Sequence, residues 1–202
     1  MKNIVLIMWY FLGPILLTGQ DWPELNRFRE DNARLDVPKV NENRIVFMGN
    51  SITESWSSLH SEFFSGKSYI NRGISGQTTA QMLVRFRADV IDLQPKAVVI
   101  LAGTNDIAGN TGPATIKMIA DNIISMAELA RVNNILVIIS SVLPVYDYSW
   151  KPGLEPVAKI SRLNEIIKNY ALKHGHTYLD YYAAMVDDQK GLKKEYTYDG
   201  VH

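Results

Sequence analysis

Ala97-Val98-Val99-Ile100-Leu101, closed by Ala102-Gly103, decides the fold. Five apolar residues in a row leave no polar face, so this strand is covered on both sides. Two runs of the same kind lie either side of it. Ile45-Val46-Phe47-Met48 ends at Gly49, and 135–139 reads Ile-Leu-Val-Ile-Ile. Weaker strands are expected at 68–71 and 177–179. Between the strands, apolar residues recur at three- and four-residue steps. Met82, Phe86, Val90 and Leu93 predict a helix over 78–93, capped by Thr78 or Thr79; Ile116, Ile119, Ile123, Met126 and Leu129 predict another over 114–131. Further helices are expected at 53–63 and 157–173, and Trp22, Leu25, Phe28 and Leu35 predict one over 21–36. Five alternations of strand and helix describe an α/β chain with a central parallel sheet of about five strands between helical layers. Ligands of such sheets bind at the carboxyl ends of the strands.

The chain has 202 residues, which suits one domain. Lysine plus arginine number 21 and aspartate plus glutamate 21, a balance that removes the electrostatic case for nucleic acid or an anionic membrane surface. There is no cysteine, hence no disulfide, thiolate metal site or cysteine nucleophile. No histidine has metal-ligand spacing, so neither a metal nor another cofactor is expected. His60 reads as a surface residue, and His174 and His176 flank a helix C-terminus. Residues 1–20 carry one charge, Lys2, followed by an apolar run over 4–17 that is too short for a comfortable membrane span. This reads as a secretory signal cut after Gly19 or Gln20, or else as an uncleaved anchor, with residues 21–202 as the folded domain. Without a cysteine after the run, lipid attachment of the bacterial lipoprotein kind is not expected.

Four clusters fall where chemistry should be sought: Gly49-Asn50-Ser51-Ile52-Thr53, Asn71-Arg72-Gly73-Ile74-Ser75-Gly76, Gly103-Thr104-Asn105-Asp106 and Asp199-Gly200-Val201-His202. Acyl transfer needs a nucleophile, a base, a carboxylate that orients the base, and donors for an oxyanion. Ser51 sits on a strand-to-helix turn, where free N–H groups and the helix dipole favour negative charge. The Gly73 N–H can approach a ligand closely because no Cβ intervenes. Asn105 offers a side-chain amide. His202 supplies a base, and Asp199 can hold its Nδ1. Gly76 reads as an ordinary turn glycine, and Asp106 as a cap.

These blocks resemble those of the SGNH hydrolases, the GDSL-type esterase and lipase superfamily. Its four name-giving residues map onto Ser51, Gly73, Asn105 and His202. The resemblance implies a flavodoxin-like three-layer α/β/α sandwich. It implies a Ser51–His202–Asp199 triad, with an oxyanion hole of the Ser51 N–H, the Gly73 N–H and the Asn105 side chain. The family's first block usually has Asp before the serine; Asn50 keeps an acceptor oxygen there without the charge. Family members normally run on beyond this histidine, so a further C-terminal stretch is expected in the natural chain.

The implied activity is that of a secreted serine esterase acting through an acyl-enzyme on short acyl groups, with a small-molecule or carbohydrate ester as substrate. Lysophospholipase or thioesterase action is the nearest alternative. Tyr146, Tyr148 and Trp150, in a loop after a strand, either anchor that loop or wall the substrate site, where they could stack on a sugar. A non-catalytic binding module on the same fold would bind ligand without turnover. A flavodoxin-like nucleotide binder is opposed by the lack of any G-x-G-x-x-G or G-x-x-x-x-G-K-[ST] motif.

Overall fold

The computed structural model describes residues 20–202, so the expected signal at the N-terminus lies outside the described residues. Five strands, β1 (Ile45–Gly49), β2 (Tyr69–Gly73), β3 (Ala97–Leu101), β4 (Leu136–Ser140) and β5 (Thr177–Leu179), form one sheet in the order β2-β1-β3-β4-β5. Every pairing is parallel. This is the flavodoxin-like order, with its crossover between β1 and β3.

Alternation along β1 shows how both faces are filled. Val46 and Met48 enter the main core with Met82 and Phe86 of α4 (Thr79–Asp89). The intervening Phe47 points the other way, into a cluster of Trp56, Phe63, Phe64 and Tyr69 with ring centroids 5.4–5.8 Å from its own. Those rings belong to α2 (Ser51–Leu59), α3 (Ser61–Phe64) and β2, so this cluster fixes the helix that begins at Ser51. On the main core side, α4 packs on α6 (Ile116–Val132), and α6 on α7 (Pro156–Lys173). Among the described residues, no helix is long and apolar enough to cross a membrane.

Two expectations are corrected. The helix read over 53–63 is two helices, broken at His60. The helix read over 21–36 is a series of turns with one short helix, α1 (Arg29–Ala33). Glu24 sits at a positive φ of 56°, off the helical path. The carbonyls that a helix would use are taken elsewhere: Trp22 accepts from Gln81 Nε2 at 2.7 Å, and Pro23 from Gln77 Nε2 at 2.9 Å. The segment is a strap across the β2–α4 side of the molecule. Two short helices that the periodicity does not reveal, α5 (Thr104–Ala108) and α8 (Tyr181–Met185), follow β3 and β5.

Candidate active site

Parallel register brings three strand ends level, with Gly49 paired to Gly73 on one side and to Leu101 on the other. The chain leaves β1 through a turn so tight that a Cβ on Gly49 would overlap the Thr53 side chain. Asn50 then caps α2, its Oδ1 accepting the Ile52 N–H at 3.0 Å. The cap needs only an acceptor oxygen, and the amide supplies it as a carboxylate would. Because Asn50 caps the helix, the Ser51 hydroxyl is left for another partner. It lies 2.9 Å from His202 Nε2. The Ser51 N–H, in the first helical turn, has no hydrogen-bond partner among the described residues.

Asp199 organises the tail that delivers His202. Its Oδ1 accepts the backbone N–H of Val201 at 2.9 Å and of His202 at 2.7 Å, while Oδ2 lies 2.7 Å from His202 Nδ1. Gly200, at φ 84°, makes the reversal possible, and its N–H donates to Thr197 Oγ1 at 2.8 Å. Burial pushes the Asp199 carboxyl up. Hydrogen bonds from the His202 backbone, the His202 ring and the Val201 backbone outweigh that and hold it at about 2. An ionised carboxylate only accepts, so Nδ1 carries the proton and Nε2 turns its lone pair to Ser51. The ring lies parallel to that of Tyr198, interplanar angle 15°.

The low Asp199 value has a consequence for stability. An unfolded aspartate titrates at about 3.9, so this carboxylate contributes its full stabilisation above that pH and loses it as pH falls toward 2. Thermal melts between pH 5 and pH 2 should therefore fall more steeply for the wild type than for Asp199→Asn; equal slopes would refute the assignment.

Asn105 is buried at the head of α5, with Nδ2 donating to the Gln77 carbonyl at 3.0 Å and its second amide proton unassigned. Asp106, beside it, ties α5 to α4 by accepting the Thr79 N–H at 3.0 Å; burial pushes its carboxyl up.

Gly73 differs from expectation. In β2 its N–H points away from β1 and donates to Asn71 Oδ1 at 2.8 Å, so it is not a free donor. Its lack of a Cβ serves packing, since a Cβ there would overlap the backbone of Glu54 in α2. Three residues on, Gly76 has an N–H with no partner among the described residues. The loop around it is fixed on every side: Ser75 by Glu54, the Gly76 carbonyl by Asn110 Nδ2, and the Gln77 carbonyl by Asn105. We expect Gly73→Ala to destabilise the fold by about 3 kcal/mol, the upper end for overpacking. Gly76→Ala meets no atom closer than 3.9 Å and should cost only the left-handed backbone term, about 1–2 kcal/mol. Urea unfolding of the two variants measures the difference.

The aromatic loop is also corrected. Tyr148 is wholly buried, and its hydroxyl meets Thr104 Oγ1 and donates to the Thr104 carbonyl, both at 2.9 Å. Burial raises its phenol to about 12. It braces the residue before Asn105 and cannot stack on a ligand. Tyr146 and Trp150 are exposed. None of the three lines the apolar groove of about 530 Å³ beside His202, whose walls include Ile52, Trp56, Leu143, Tyr196 and Tyr198. Two of these wall residues, Tyr196 and Tyr198, lie just before the Asp199–His202 block, and their closeness to it in sequence is the local signal that marks them. Among the described residues, no three histidine, cysteine, aspartate or glutamate side chains come together as a metal site would require.

The sequence matches the GDSL-like Lipase/Acylhydrolase family over residues 47–202. The chain belongs to this family. Its fold is close to that of a GDSL-like lipase from Bacteroides thetaiotaomicron VPI-5482, with 47% identity, 89% of each chain covered and a TM-score of 0.87. It is 35% identical over 164 residues to YqeF, an uncharacterized lipoprotein of Bacillus subtilis strain 168. That match takes in 76% of the present chain and 62% of YqeF, so the chain spans less than two thirds of this relative's length. A variant of Axe2, an acetyl xylan esterase from Geobacillus stearothermophilus, is 17% identical with a TM-score of 0.57 over 73% of this chain and 79% of that one, and shares the fold. As a GDSL family member, the chain carries its Ser51, Asn105, Asp199 and His202 blocks within the matched span.

Proposed function

We propose that the protein is an exported serine acylhydrolase that cleaves carboxylic esters through an acyl-enzyme. The observation that carries this reading is the continuous chain of contacts from Ser51 Oγ through the His202 ring to Asp199, 2.9 and 2.7 Å long. Ser51 Oγ attacks the ester carbonyl as Nε2 takes its proton. The oxyanion draws on the Ser51 N–H, the Asn105 side chain and the Gly76 N–H, whose free state and braced loop replace the paired Gly73. The imidazolium hands its proton to the departing alcohol. Water then attacks the acyl carbon as Nε2 takes one of its protons, and the imidazolium returns that proton to Ser51 Oγ as the acyl–oxygen bond breaks and the acid leaves.

Export is supported by the apolar run over 4–17 behind Lys2, and by the naming of the YqeF relative as a lipoprotein. With Tyr148 buried, and neither Tyr146 nor Trp150 among the walls of the groove beside His202, the aromatic loop does not carry a proposal of a sugar as the alcohol. A fluorophosphonate probe followed by peptide mass mapping tests the mechanism. The expected adduct is on Ser51 and is lost in Ser51→Ala; folded protein labelled elsewhere, or not at all, would overturn it.

A further inference from the structure

The acid–base limb of the site is held by its own tail, but the oxyanion limb hangs on a group that has no part in the reaction. Arg85 projects from α4 and is completely buried. Its guanidinium uses its donors on four partners. Nε donates to Gln77 Oε1 at 2.6 Å, and Nη1 to Asp89 Oδ2 at 2.9 Å. Nη2 donates to the Arg72 carbonyl at 2.8 Å and to the Gly49 carbonyl at 3.2 Å. Gly49 lies two residues before Ser51. Arg72 lies at the end of β2. Gln77 is the residue after Gly76, and its carbonyl receives Asn105 Nδ2. One planar fork thus joins the ends of β1 and β2 to the loop that carries Gly76 and touches Asn105.

We propose that Arg85, acting through Gln77, is the positioning residue of the oxyanion hole. The proposal rests on the acylhydrolase reading above. Its physical basis is geometric: five donors in a rigid plane can fix three backbone segments relative to one another, whereas a lysine ammonium is a single point. Asp89 balances the charge, so the guanidinium is not drawn toward the oxyanion. Gln77 also donates to the Pro23 carbonyl, which extends the same bracing to the N-terminal strap.

Gln77→Ala is the decisive variant, because it keeps the Arg85–Asp89 pair and both strand carbonyl contacts. We expect kcat on p-nitrophenyl esters to fall at least about tenfold with KM within about threefold, since a small displacement of a donor is felt in the transition state and not in ground-state binding. The Kd of a boronic acid that mimics the tetrahedral adduct should rise by the same factor. Arg85→Lys should lose more, about 100-fold in kcat, and added guanidinium should restore part of the turnover of Arg85→Gly. The inference is overturned if folded Gln77→Ala keeps kcat within about twofold, or if KM rises with kcat unchanged. Wild-type protein that neither turns over esters nor takes the fluorophosphonate on Ser51 removes the acylhydrolase reading itself, and this inference with it. A labelled, active wild type beside an unaffected Gln77→Ala overturns the positioning role alone.

Discussion

Ser51→Ala is expected to lower kcat on p-nitrophenyl esters by about 10⁴- to 10⁶-fold, the span found when single members of a triad are removed. His202→Ala should cost about as much, and the double variant should be no worse than the poorer single one. The reason is that the two side chains form one unit. Without the hydroxyl there is nothing for Nε2 to activate, and without Nε2 the hydroxyl keeps its proton. Residual turnover would come from the oxyanion donors, which neither substitution removes. Folding should be nearly untouched, because among the described residues the Ser51 hydroxyl has His202 as its one partner and Asn50 does the capping. Steady-state kinetics of the three variants checks this, with circular dichroism to show that each is folded. Losses that multiply in the double variant would mean that Ser51 and His202 act independently, and the triad reading would fall.

How far the sequence foretold this site depends on the kind of interaction involved. Strands β1, β3 and β4 were legible because doubly covered strands need unbroken apolar runs, which are local in sequence. Ser51, Asp199 and His202 were legible as residue types next to strand ends or in a compact tail motif. The sequence reads Gly73 as the donor and Gly76 as a turn glycine, yet it is the Gly73 N–H that is already paired, and pairing does not show in residue type. That follows from the direction in which β2 alternates and from where Asn71 turns its side chain. The strap at 21–36 has a helical pattern but does not form the helix, since its carbonyls are claimed by glutamines 54 and 59 residues away. Tyr148 looked like a rim residue, and only its partner Thr104, 44 residues earlier, explains how its hydroxyl can be buried. Arg85 did leave a trace. With Asp89 it falls on the same side of the α4 pattern as Met82 and Phe86, and charges on an apolar stripe signal a buried pair.

Asp199→Asn carries the second large effect, and here the backbone decides the outcome. In the native protein Oδ1 accepts two backbone N–H groups and Oδ2 faces the ring. An asparagine has one oxygen for these two duties. Turned toward Val201 and His202, the oxygen keeps both backbone bonds and presents an NH₂ donor to Nδ1. The ring must then accept at Nδ1, its proton moves to Nε2, and Nε2 can no longer take the proton of Ser51. Turned the other way, the NH₂ group opposes two backbone donors and the tail reversal loses its core. The first orientation satisfies more groups and should prevail. We therefore expect kcat to fall by about 10⁴, the scale known for the same exchange in a serine triad, with only a small loss of stability near neutral pH. Asp199→Ala, which removes the tail's acceptor altogether, should lose both activity and the ordered position of His202. Paired kcat and melting measurements distinguish the two variants. An Asp199→Asn enzyme with wild-type turnover would show that the carboxylate orders the chain and takes no part in setting the imidazole tautomer.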